Sequence, residues 1–272
     1  MTQQFLNRDE APFGGEIWKL LDETVKSMAL GTLSARKLVH AEGPYGLGLK
    51  HVPGKEMVLS DESSGELSVT VSAAEPLMLL TSSFILPARD LDNYIRSGIP
   101  FDIEPVFRAV KMIAEREDAV LFNGTGINEA QGLIKSPGIQ NLKLKQWNQA
   151  GDGVGSIVAA IEKLDNAGFH GPYALGLAPS LYYALFRKYP NSDILEIDHV
   201  KAVVTDSIVK APSLASGGVL LNAGRQFVSI IIGQDLTVDF EGPVGRDFRF
   251  TLSESIALRV TVPQSVCVLE GA

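Results

Sequence analysis

Four short segments constrain this chain most: Glu42-Gly43-Pro44-Tyr45-Gly46, Glu117-Asp118-Ala119-Val120-Leu121-Phe122-Asn123-Gly124, Gly171-Pro172-Tyr173-Ala174-Leu175 and Ile232-Gly233-Gln234-Asp235-Leu236. They run in this order from one end to the other. In each, Gly, Pro or Asn sets backbone geometry beside apolar residues that need burial. None carries the reactive grouping of an active site. The distinctive residues mark architecture, and chemistry has to be looked for elsewhere.

The stretches between them have clear periods. Ile17, Leu20, Leu21, Thr24, Val25 and Met28 recur at helical spacing, opposite Lys19, Asp22, Glu23 and Lys26, which predicts an amphipathic helix over 16–35. Met57-Val58-Leu59, a polar run ending in Gly65, and the alternation of Leu67, Val69 and Val71 predict a β-hairpin over 58–71. An isolated hairpin is marginal in water and its open edges invite a second chain. A longer helix is predicted over 104–121, with Val106, Val110, Ile113, Ala114 and Leu121 on its apolar stripe. Lys111, Glu115, Arg116 and Asp118 lie on its polar side, and Asn123-Gly124 is its stop. Residues 125–155 read as loop. A helix over 156–164, a strand over 174–177 and a short helix over 179–186 follow, and from Phe227 onward the chain reads as antiparallel strands. The predicted class is α+β.

The chemistry is sparse. The His residues at 40, 51, 170 and 199 have no His or Cys neighbour at metal-ligand spacing. Cys267 stands in an apolar run with no partner for a disulfide. Gly151-Asp152-Gly153-Val154-Gly155-Ser156 lacks the Lys of a phosphate-binding loop and fails the dinucleotide spacing. The expectation is no catalytic group, no cofactor and no metal. With 272 residues, 45% hydrophobic, and a net charge of −8, the chain can bury a large core and lacks the basic face of a nucleic-acid binder. No signal peptide is recognisable, and the apolar runs are too short to span a bilayer. A cytoplasmic protein with neither nucleic acid nor membrane as partner is expected.

The four segments, together with Ser34-Ala35-Arg36-Lys37-Leu38-Val39, Leu91-Asp92-Asn93 and Ser253-Glu254-Ser255, resemble in order and spacing the encapsulin shell proteins. These are relatives of tailed-phage major capsid proteins. The resemblance implies the tailed-phage major capsid fold and self-assembly into a large icosahedral homo-oligomer, with cargo enzymes, of iron-storage or peroxidase type, held inside by a short targeting peptide. It divides the chain into an N-terminal helix and first part of a peripheral domain (1–47), an extension-loop hairpin (48–80), a spine helix (81–128), an apical domain (129–225) and peripheral strands (226–272). It implies cargo docking at Leu33, Arg36, His40, Ile230, Ile232 and Leu236, with Arg36 gripping a carboxylate or carbonyl of the peptide. Asn191, Ser192, Asp193 and Glu196 would line a pore at a symmetry axis. His40 stands where encapsulins often have Asp. Arg89 stands where some carry a Trp associated with flavin, so no flavin is expected by that route. Two alternatives stay open: a phage capsid protein, and a hydrolase with an unrecognised site.

Overall fold

A computed structural model describes residues 6–60, 68–126 and 131–271. The first helix, α1 (Gly15–Thr32), buries Ile17, Trp18, Leu21, Val25 and Ala29 at helical spacing. It ends short of the expected residue 35. Ser34 turns out of the helix to meet Asp118, and a separate turn, α2 (Ala35–Leu38), starts there. After β1 (His40–Glu42) come the antiparallel strands β2 (His51–Ser60) and β3 (Ser68–Pro76). They extend the expected 58–71 hairpin at both ends, with a register shift between Pro53 and Glu56. Its turn, 61–67, lies outside the described residues. The pair forms a sheet of its own, anchored at its base where Val52 packs with Ile231 and Ala257.

β4 (Met78–Pro87) runs into α3 (Ala88–Ser97), an element the sequence does not announce, because its apolar side is short, Leu91, Tyr94 and Ile95, and only Leu91 is buried. α4 (Glu104–Asn123) is the expected long helix, closed at Gly124. The peripheral sheet is built around β11 (Asp247–Val260). One edge of β11 pairs antiparallel with β4; the other pairs antiparallel with β10 (Thr237–Val244) and then with β9 (Val228–Ile232). β1 adds parallel to β9 and ends the sheet. Helices α1 and α4 cover one face, where Ile17, Leu21, Val25, Val110 and Ile113 meet Phe84, Val238 and Phe250. Phe84 stacks on Phe250 at 5.1 Å.

The second sheet has the order β5-β12-β8-β6-β7, formed by β5 (Gln140–Lys143), β6 (Tyr173–Leu177), β7 (Ser207–Lys210), β8 (Gly218–Asn222) and β12 (Val266–Glu270). α5 (Asp152–Asn166) and α7 (Glu196–Val203) pack on it through Ile157, Leu164, Ile197 and Val200, and α6 (Pro179–Ala184) follows β6. Two expectations are corrected here. β5 lies inside the stretch read as loop, and α5 begins there too, at Asp152. The final strand does not join the other late strands: β12 inserts between β5 and β8, so the expected 226–272 group is split between the two sheets. Gly217 makes that insertion possible. At φ +70° it lies so close to the chain that a Cβ would sit 2.0 Å from the Leu269 carbonyl oxygen. A shared core holds the sheets together, joining Leu38, Leu121, Phe122, Ile230, Ile232 and Ile256 to Ala174, Leu221 and Val266.

Candidate functional site

The site begins with an interruption of the β-ladder. Between the last pair of β9 and the first of β10, the four residues 233–236 stand opposite only Glu254 and Ser255 of β11. Such a bulge bends the strand and re-aims its side chains. Gln234 is held in: its N–H donates to Ser255 Oγ (2.8 Å) and its Nε2 to Ser253 Oγ (2.8 Å). Asp235 is turned out to meet Arg36 of α2.

Arg36 is the hub. Its Nε donates to Glu117 Oε1 (2.6 Å), its Nη2 to Glu117 Oε2 (3.0 Å) and Glu254 Oε2 (2.7 Å), and its Nη1 to Asp235 Oδ1 (2.7 Å). The Glu117 and Glu254 side chains are 1% and 0% exposed. One residue along α4, Asp118 accepts from the Ser34 N–H and hydroxyl and from the Ala35 N–H, capping α2 from another helix. Burial pulls the Arg36 pKa down, but Glu117, Asp235 and Glu254 outweigh it and leave Arg36 above its ordinary value. Glu254 moves the other way for a carboxylate. Burial and then the charge of Glu117 push it up to about 9, against the partial relief of Arg36. Its Oε1 receives no hydrogen bond among the described residues. One guanidinium cannot compensate two buried carboxylates, and Glu254 stays protonated at neutral pH. The arrangement is an ionic joint between α2, α4, the bulge and β11. Among the described residues no group of three metal-ligating side chains gathers.

This placement changes what the expected docking residues offer. The carboxylates gripped by Arg36 belong to its own chain. Leu33, Ile230 and Ile232 are buried in the core and present no surface. Leu236 is half-buried against the α1 core, and His40 is exposed. Sequence reasoning missed Glu117 and Glu254, although a signal was there. Glu117 falls in phase with Val110, Ile113, Ala114 and Leu121 on the apolar stripe of α4, and Glu254 falls in phase with Phe250, Leu252 and Ile256 in β11. An acid in register with the core needs a buried cation.

The expected pore residues separate as well. Asn191 (φ 58°), Ser192 and Asp193 form an exposed loop closed by the Tyr189 N–H on the Ile194 carbonyl, and Lys188 pairs with Asp193 at 2.8 Å. Glu196 is a correction. It is buried at the start of α7 and accepts from the Val154 N–H (2.9 Å), satisfying a free donor in the first turn of α5.

The fold is the one found in capsid-type proteins. It superimposes on the virus-like particle from Pyrococcus furiosus with a TM-score of 0.75 at 20% identity, covering 94% of this chain and 100% of that one. The capsid of Myoviridae Phage XM1 matches with a TM-score of 0.62 at 14% identity, covering 88% and 90%. Residues 3–257 match the family described as encapsulating protein for peroxidase. The type 1 encapsulin shell protein EncA of Myxococcus xanthus is 28% identical over 278 residues, 98% of this chain and 97% of that protein. The chain belongs to the encapsulin family.

Proposed function

We propose that this chain is the wall of a cytoplasmic nanocompartment, a non-enzymatic subunit that closes into an icosahedral shell around cargo enzymes. The observation that carries the reading is the capsid-type fold extending over nearly the whole chain. Two surface features support it. The β2–β3 hairpin forms a separate sheet with both outer edges unpaired within the described chain. Ile95, Ile99, Ile103 and Phe107, from α3, the following loop and the start of α4, are each exposed, which suits contact with a second copy.

Cargo arrives through a short targeting peptide that docks on the face carrying α2, His40 and Leu236. Leu33, Arg36, Ile230 and Ile232 support that face from beneath. Peroxidase is the cargo class the family description supports, with iron-storage enzymes a second candidate. The net charge of −8 favours protein over nucleic acid as contents, and no membrane partner is involved. The 188–194 loop faces a symmetry axis, where Lys188 largely neutralises the ring that Asp193 repeats. One preparation tests this. The chain is co-expressed with the enzyme encoded beside its gene, and purified particles are treated with protease. Protected enzyme is expected, and Asp193→Lys particles should admit small anions faster. Enzyme fully digested, or absent from the particles, overturns the cargo assignment; anion entry unchanged by Asp193→Lys removes the loop from the pore.

A further inference from the structure

β1 is the end strand of its sheet: β9 pairs with one edge and no described strand pairs with the other. An open cleft of about 500 Å³ runs beside it, lined by His40, Glu42, Tyr45, Arg225, Gln226 and Arg259. Its charge is unbalanced. Arg259 donates through Nη2 to both oxygens of Glu42 (3.0 Å each), and its buried Nε has no partner. Arg225 is exposed and makes no ion pair among the described residues. Two guanidiniums therefore face one carboxylate, on a chain whose net charge is −8.

We propose that this cleft takes an extended peptide carrying an acidic side chain, added as a further strand on the free edge of β1. The main chain of the peptide satisfies the outer backbone groups of β1, as in strand addition generally. Its carboxylate sits between Arg225 and Arg259, where a planar guanidinium fork suits it. Tyr45, 60% exposed, supplies an apolar wall for a neighbouring side chain. The inference rests on the cargo reading in one respect, that the occupant is a segment of another protein. It adds the backbone mode of docking and the charge of the partner.

The test uses a fluorescent reporter with a C-terminal tail of about eight residues in which Val alternates with Ser and one Glu; its free terminus is common to all arms. The reporter is co-expressed with the full chain, and bound reporter per purified chain is measured. The Glu tail should load roughly five- to tenfold better than the same tail with Gln. Arg225→Glu should lose the same factor, and Arg225→Lys should recover part of it. A tail with Pro at alternate positions, which cannot donate along a strand edge, should not load. Equal loading of Glu and Gln tails, or of Arg225→Glu and the unaltered chain, overturns the acidic assignment. Equal loading of the Pro tail overturns strand addition. Particle size is measured on the same samples: shells that form normally but ignore the tail leave the shell reading intact, whereas free chain that still binds the Glu tail overturns the shell and not the cleft.

Discussion

Arg36→Met is expected to destabilise the chain by about 3–5 kcal/mol, because it leaves Glu117 and Glu254 buried side by side with no cation. The lost joint connects α2, α4, the 233–236 bulge and β11, so the loss should show as a lower thermal midpoint and a fall in particle yield. Replacing the acids as well, in the triple variant Arg36→Met with Glu117→Gln and Glu254→Gln, should recover most of the stability, since the buried acids that need Arg36 as a partner are then gone. An Arg36→Met chain that melts like the unaltered one contradicts the joint.

Stability should also fall as the solution turns alkaline. In the unfolded chain Glu254 releases its proton near the ordinary value of 4.5, whereas in the folded chain burial and Glu117 hold it to about 9. The folded form therefore binds one more proton between these values. The stability this confers is complete below about pH 4.5 and declines as pH rises toward 9. The groups facing Glu254 are Arg36, Glu117 and Asp235; Asp118 lies beside Glu117 with its oxygens taken up by Ser34 and Ala35. Between about pH 6 and pH 9 the midpoint should drop by roughly 6–12 °C. Glu254→Gln, which imitates the protonated acid, should leave neutral stability nearly unchanged and flatten that decline. A variant with the full alkaline slope would assign the effect to another group.

The main helices and late strands are legible in the sequence because each buries one regular face. The apolar stripe of α4 and the alternation of Phe248, Phe250 and Leu252 identify their elements directly. α3 is not legible, with one buried residue, and neither is β8, whose residues are all buried and so do not alternate. The place of β12 is hidden for a different reason. Neighbouring strands in sequence usually pair, and only the long-range fit of Val266 to Leu269 between β5 and β8 overrides that preference. Asp118 looks like a polar-face residue of α4 until α2 is placed against it. Arg36 is part of the family resemblance, but its partners Glu117 and Glu254 lie 81 and 218 residues away, where no local pattern connects them.

The most direct measurement of the central claim is the particle formed by the purified, unaltered chain, weighed by light scattering at physiological salt and imaged by electron microscopy. A single population of closed, hollow, megadalton-scale shells is expected. Monomers or dimers alone, at the concentration of the stock and with the chain folded, would contradict the account.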